Sequence, residues 1–449
     1  MTKAGARRRL FDFYLSMADA AARLAYPEKV RREVPAHRVT FDDRVAVWAW
    51  FHAERANLVA AVRYAAAHGA PSAAALLANC VAEHFALVGD SATELVVAHA
   101  GVRAAAREND PRGVAAARLD LARARFDAGQ YEEAFAEYTT ALDLARSARW
   151  LAGQAAAWNC LGLLHWETGQ LQQAIEHHGA ALELNRQAGR VTGQAGNLTN
   201  LGSVYLQLGR FGRAADCHSE ALALFRAAGS TVGEAATLVH LGELDRERGR
   251  ADAAAEHFTA ALSLLSSSGN RVGETAARIG LAGALGDLGR HEEALTLAQV
   301  AVEATRDLAA KRSEVDALNV LGGIHLRAGQ HRQAADSYEC AVDLARAVGY
   351  RLGSVRALLG AAGTALAGQD PHQALAHAHA AWELARDASY RAWEGHAHTT
   401  LATVHLARGH PDQAAEHARH AQAIHGETGH APGRTDPHTI LTTAQTVRS

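Results

Sequence analysis

A glycine returns every 40 residues along most of this 449-residue chain: Gly89, Gly129, Gly169, Gly209, Gly249, Gly289, Gly329 and Gly409, with Gln369 out of step. An alanine follows five residues later in each full unit, from Ala134, Ala174 and Ala214 to Ala414, and another seven beyond it, from Ala141 to Ala421. A period this regular describes one small unit stacked on copies of itself. Each unit packs on its neighbours, so the chain needs no single large core and offers extended surfaces for holding other molecules.

The unit is helical. Apolar residues make up 49% of the chain with alanine dominant, aromatics only 6%, and there are eight prolines. Alanine is the best helix former, and its small side chain lets helices approach closely. In the stretch 154–191, Trp158, Leu161 and Leu164 recur at helical spacing over 155–168 before Gly169. A second helix over 171–188 then places Ala174, Ile175, His178, Ala181 and Leu182 on one face. Gly162, Gly202, Gly242 and Gly322 follow a leucine where paired helices would cross. Ala122, Ala282, Ala362 and Ala402 hold that position in other units. A bulky side chain there should cost about 1–3 kcal/mol by overpacking.

This pattern resembles the tetratricopeptide repeat: apolar–x–x–Leu-Gly–x–x–aromatic in the first helix, then Ala, an aromatic or His, and Ala in the second. The 40-residue period is similar to the longer-helix variety of kinesin light chains and spindle-orientation adaptors. Eight units fit from Gly113 to Gly429. A degenerate unit occupies 71–110, with Glu94 where the alanine belongs. The expected fold is an all-α solenoid of about nine helical hairpins over 71–430. A helical cap over 1–70 precedes it and a loose tail over 431–449, with Pro432, Gly433 and Pro437, follows.

Within the cap, Leu10 to Ala25 reads as an amphipathic helix ended near Pro27, then a basic connector to Val39 and a second helix from Val45 to Ala67. Asp12, Tyr14, Ala20, Trp50, Glu54, Asn57, Leu58 and Ala61 carry a second resemblance. It is to actinobacterial transcriptional regulators of the NB-ARC and Streptomyces antibiotic regulatory protein type, in the segment joining the switch core to C-terminal repeats. That resemblance implies a sensing or partner-binding arm. No GxxxxGK[ST] phosphate loop and no separate helix-turn-helix occurs in this sequence, so neither ATPase nor DNA-binding activity is assigned to it. The chain reads as either the repeat arm of such a regulator or a free-standing relative. Trp48, Trp50 and Phe51 are candidates for contact with a partner at the cap, packing on the degenerate unit being the alternative.

A net charge of −3 supplies no basic field for nucleic acid or an anionic membrane. Three lysines stand against 42 arginines. Arg7, Arg8 and Arg9 precede an amphipathic stretch rather than the apolar core of a signal peptide. No apolar run reaches the roughly 18–20 residues of a membrane span. Cys80, Cys160, Cys217 and Cys340 lie far apart in no metal-type spacing and read as thiols of a reducing compartment, so a cytoplasmic location is expected.

In tetratricopeptide arrays the first helices line a concave groove. Carried over by position, that frame marks Asn159, Asn200, His240 and Asn319 just before the leucine, with Thr199, Thr399 and Thr400. Ser203, Glu243 and Thr403 lie two residues after it. Trp166, Glu167, Gln207, Arg246, Glu247, Asp287 and Arg327 come later in the helix, Asp316 and Arg356 earlier. Asparagine offers both donor and acceptor to extended backbone. The chaperone-type carboxylate clamp is missing; Glu167, Glu243, Glu247 and Asp287 favour a basic or polar segment instead. Gly280, Gly283, Gly323, Gly360 and Gly363 remove side chains from the same frames, which is expected to widen the groove into an apolar pocket.

Of 26 histidines, 12 follow residue 369. They fall into repeat slots (His177, His257, His377 and His417 in one; His178 and His218 in another), so packing explains them without metal, and no cofactor is expected. His396 and His398 should diverge on their helix. No catalytic signature is present, although His240, Glu243 and Asn200 could in principle exchange protons. The sequence therefore points to a recognition protein, sensor or adaptor, that binds a peptide, a protein or a small-molecule effector. An enzyme or biosynthetic accessory protein using the groove as a pocket is the alternative.

Overall fold

The structure, a computed structural model, describes residues 3–26, 29–32, 34, 39–87, 91–266, 269–429 and 436–448. Pro27, Gly89, Ala431, Pro432 and Gly433 lie outside them. All regular elements among the described residues are helices: α1 (Lys3–Ala25), α2 (Arg44–Ala67), α3 (Pro71–Leu87) and α4 (Ser91–Ala105) come first. From residue 111 a helix begins every 20 residues. These are α5 (Pro111–Asp127), α6 (Tyr131–Ser147), α7 (Leu151–Glu167), α8 (Leu171–Gln187), α9 (Val191–Gln207), α10 (Phe211–Ala227), α11 (Thr231–Glu247) and α12 (Ala251–Leu265). Then follow α13 (Arg271–Asp287), α14 (His291–Asp307), α15 (Lys311–Arg327), α16 (His331–Ala347), α17 (Arg351–Ala367), α18 (Pro371–Asp387), α19 (Arg391–Ala407), α20 (Pro411–Thr428) and α21 (Pro437–Arg448). The 40-residue unit is thus a hairpin of two equally spaced helices.

Sharp connectors keep that register. Each places one residue in the left-handed region, glycine at Gly129, Gly169, Gly209 and their equivalents. Asn109, Arg149, Ala309, Gln369 and Ser389 adopt the same backbone with φ of 50 to 63°. Gln369, out of step in sequence, is therefore in step in structure. The first helix of a unit starts earlier than its apolar pattern, at Leu151 rather than Ala155. Gly153 does not break it, because the ring of Trp150 packs where a Cβ would stand.

The crossing position shows why small residues recur. A Cβ added at Gly162 would lie 2.7 Å from the His178 ring, at Gly202 2.5 Å from His218, at Gly242 2.7 Å from Phe258 and at Gly322 3.0 Å from Tyr338. Where the first helix carries Ala282, Ala362 or Ala402 instead, the second offers Ala298, Ala378 or Ala418, all buried. Glycine faces a ring and alanine faces alanine, so the large side chains of the second helix stand only where the first helix has none. Ala122 opposite buried Tyr138 departs from this pairing.

The chain divides into two compact units. One is Met1–Glu167 with Gln172–Asn197; the other is Thr168–Leu171 with Leu198–Ser449. In the first, Leu15, Val47, Phe51, Leu58, Leu77 and Phe85 join α1, α2 and α3 in one core. Tyr14 donates to Glu54 (3.0 Å) and Asn57 donates to the same carboxylate (2.8 Å), coupling three of the cap residues that carry the regulator resemblance. Phe51 is buried and stacks on His84 at 4.2 Å, Trp48 lies 5.3 Å from the same ring, and Trp50 is half-buried beside Phe41. Trp48 and Phe51 thus pack on His84 of the degenerate unit, whereas Trp50 packs on Phe41 and Phe51 within the cap. The basic connector is fastened as well: Lys29 pairs with Asp120 (2.8 Å), and Arg32 with Glu108 (2.9 Å) and Asp110 (3.3 Å).

In the second unit the segment expected as a loose tail contains α21. Ile440 and Ala444 are buried, and Ile440 joins Ala402, Ala414 and Ala418, covering the last hairpin. The period had ended, so the repeat pattern could not announce this helix.

Candidate functional site

The candidates on the first helices separate into two groups. In the first unit, the Asn159 side-chain oxygen lies 3.1 Å from His178 Nδ1 and accepts from Asn197 (2.8 Å), whose own oxygen accepts from Asn185 (2.7 Å). This chain of amides runs through the packing seam. Trp166 is half-buried. In the second unit, Ser203 is buried and donates to the carbonyl of Thr199 (3.2 Å), and Asn319 is buried and donates to the carbonyl of Gly353 (3.1 Å). Asn200 and Gln207 are half-buried. Asn159, Ser203 and Asn319 thus have polar atoms turned into the array.

The second group converges. On α11, His240 Nδ1 lies 3.2 Å from Glu243 Oε2, and the His240 ring stacks on buried His218 at 5.4 Å. Arg356 of α17 pairs with Asp316 of α15 at 3.2 Å and lies over the Trp393 ring of α19 at 5.5 Å. Tyr350 donates to Asp316 (3.3 Å). His396 of α19 stands 3.9 Å from Glu247 of α11. Arg246 and Arg327 share Asp287, at 2.8 and 3.3 Å. First helices of repeats that are far apart in sequence therefore meet around one chamber inside the second unit. The same closure appears in an apolar cluster where Ala392 of α19 packs with Phe211 and Leu244.

Glu243 is the distinctive group. Its side chain is 49% exposed, beside His240 and within the fields of Arg356 and Arg246. Desolvation alone would raise its pKa. The hydrogen bond to His240 and the fields of His240, Arg356 and Arg246 outweigh that and hold the carboxyl below its usual range. Asp316 shows the opposite balance: burial pushes it up to about 6 although Arg356 is adjacent. The chamber presents a carboxylate that stays ionised beside one that titrates near neutrality.

The glycines expected to open an apolar pocket do not. Rings and guanidinium groups of neighbouring helices fill the space: Phe258 lies against Gly280, Arg246 is 2.6 Å from a Cβ at Gly283, and Tyr338 lies against Gly360 and Gly323. A missing side chain in one helix has been taken up by a large one in a neighbouring helix. A cavity does form in the first unit. It measures about 250 Å³ and is lined by Ala86, Arg123, Phe126, Asp127, Tyr138, Cys160 and Leu163. Reasoning from sequence missed it by starting the groove at Asn159. The frame itself would have found it, since Arg123 and Leu163 hold the position of Ser203 and Glu243, and Cys160 that of Asn200 and His240.

Among the histidines, His178 and His218 fill the slot facing Gly162 and Gly202. His396 faces Glu247, whereas His398 Nδ1 meets His417 Nδ1 at 2.9 Å, so these two neighbours do diverge. Among the described residues no group of three or more His, Cys, Asp or Glu is placed to hold a metal ion, and no helix is long and apolar enough to cross a membrane.

Residues 153–227, 233–307 and 274–347 match the tetratricopeptide repeat family. The regulatory protein AfsR of Streptomyces griseus is 35% identical over 162 residues, 35% of this chain; the chain spans 16% of that relative's length. Among solved structures, a Rap protein complexed with competence and sporulation factor superposes with a TM-score of 0.61 at 14% identity, over 79% of this chain and 98% of its own. A signal-transduction ATPase with a tetratricopeptide repeat sensor, PH0952 of Pyrococcus horikoshii, gives a TM-score of 0.49 at 14% identity, over 75% of this chain and 51% of that one. The chain carries tetratricopeptide repeats, folds as an all-α solenoid of the tetratricopeptide type and has a regulatory protein as a homologue.

Proposed function

We propose that this chain is the recognition part of a regulatory system and binds a peptide or a protein segment in the chamber of its second unit. The observation that carries this reading is Glu243, an ionised, half-exposed carboxylate whose hydrogen-bond partner is a histidine rather than an arginine. A basic side chain of a bound segment completes a charge-assisted pair there. His240, Glu247, Asp316 and Arg356 surround the same space. The homology to AfsR supports a regulatory setting, and the Rap protein, solved with a bound factor, is an example of this fold in a complex.

The test is selection from a random decapeptide library on the immobilised chain, in parallel with Glu243→Gln and Arg356→Ala. Enrichment of lysine or arginine on the wild type, lost in Glu243→Gln, supports the reading. An enriched set that binds both chains equally would place recognition on another face.

A further inference from the structure

We propose that the cap binds an acidic amphipathic helix of a partner protein in the groove between α1 and α2. Along α1, Leu10, Phe13, Met17, Ala20 and Leu24 recur at alternating intervals of three and four, the spacing of a helix–helix seam. The opposite face of α1 packs in the cap core through Leu15, Ala18 and Ala22. The stripe stays outside that core: Leu10 is 51% exposed, Phe13 52% and Leu24 36%, with Met17 and Ala20 half-buried. Its narrow width suits a second helix, whereas a helix lying in a lipid surface presents a broader apolar face.

Three contacts lay α1 antiparallel to α2. Arg44 donates to the Leu24 carbonyl (3.2 Å), Tyr14 donates to Glu54 (3.0 Å), and the Phe11 ring lies 6.4 Å from that of Tyr64. Asn57, one turn beyond Glu54, is exposed, and so are Ala53 and Ala60 on its face of α2. These small side chains beside the stripe leave room for a third helix to rest against both. Charge selects the sign of that helix. α1 and α2 hold eight lysine and arginine residues against three acidic ones, although the whole chain carries a net charge of −3. Arg9 and Arg23 occupy equivalent positions bordering the seam. Arg23 is answered by Asp19 (2.7 Å) and Arg8 by Asp12 (3.9 Å), which leaves the excess on exposed Arg7 and Arg9 at the head of the stripe. Two copies of this face would bring like charges together, whereas glutamates or aspartates along a partner helix would meet them favourably.

This surface lies on α1 and α2 and does not rest on the chamber reading. The probe is a fluorescein-labelled three-heptad peptide with leucine at the seam positions and glutamate beside them. Its controls are a glutamine counterpart and a scramble of the acidic sequence. Fluorescence anisotropy against the full chain should show saturable binding of the acidic peptide, at least about tenfold tighter than either control. Phe13→Asp and Leu10→Asp, both at exposed positions, should each weaken it about tenfold or more, and Arg9→Glu about threefold or more. If circular dichroism shows one aspartate variant misfolded, the other decides. No saturable binding, binding retained in a folded aspartate variant, or a control peptide that binds as tightly would each overturn the proposal. So would a wild type that sediments as a dimer which Phe13→Asp dissociates, or one that binds phosphatidylserine vesicles through Phe13 but not the acidic peptide.

Discussion

Gly202 and His218 show how single residues set the stability of this array. The buried ring occupies the space a Cβ would need, so Gly202→Ala should cost about 1–3 kcal/mol. Adding His218→Ala should recover part of the loss, because Ala282 with Ala298 and Ala402 with Ala418 already pack this way. Urea denaturation of the two variants measures both effects, and no recovery would mean the pairing is coincidental. The same rings predict a pH dependence. Burial, with a smaller push from the adjacent His177 or His240, lowers His178 and His218 to about 3. The unfolded chain, with histidine near 6.5, then takes up protons first as pH falls. Their contribution is complete above pH 6.5 and is lost as pH drops from there towards 3. His218→Phe, which copies the pairing of Gly242 with Phe258, should flatten that acid limb. Glu94 has the opposite sign. Buried at 1% exposure, it is pushed up to about 8, so folding favours its protonated form. Its contribution is present below pH 4.5 and is lost as pH rises to 8. Glu94→Ala, which restores the repeat residue, should remove that decline, and an unchanged slope in denaturation at pH 5 and 8.5 would refute this.

At the scale of elements, the connectors and the last helix are the informative parts. Ala309 holds a φ of 52° in a position filled by glycine in most units. Left-handed backbone costs an L-residue about 1 kcal/mol, so Ala309→Gly should stabilise by up to that amount despite the added freedom of the unfolded chain. Thermal unfolding reads the change, and a lowered midpoint would show that Cβ contacts outweigh backbone strain. Helix α21 covers Ala402, Ala414 and Ala418 through Ile440. Ending the chain at 435 should remove about 1.5–3 kcal/mol of side-chain burial at Ile440 alone and speed amide exchange in α20. Exchange in α20 unchanged by the truncation would make α21 a bystander.

At the largest scale, the second unit closes on itself, joining α10 to its last helices. Thr428 at the end of α20 lies against Gly209, where an added Cβ would collide with its methyl, and Gly209 also has a φ of 69°. Gly209→Val should therefore loosen both ends of the closure together. Hydrogen exchange should rise at the start of α10, the start of α19 and the end of α20, with α14 unaffected. Protection that changes only around α10 would mean the two ends are not coupled.

The sequence by itself determined the repeat, the helical hairpin and the small crossing residues, because stacking imposes one local solution on every unit and leaves it visible as a period. It also carried Glu243, Glu247 and Arg356 into the candidate set, since position within the unit fixes which way a side chain faces. Only the tertiary structure decided which members of that set meet. Asn159 and Asn319 turned into seams, Gly280 and Gly360 were filled by rings from the preceding helix, and Arg123 and Cys160 came to line a cavity. These outcomes depend on how far each unit rotates against its neighbour and on the volume of residues about 20 or 40 positions away, and neither is written within a single period.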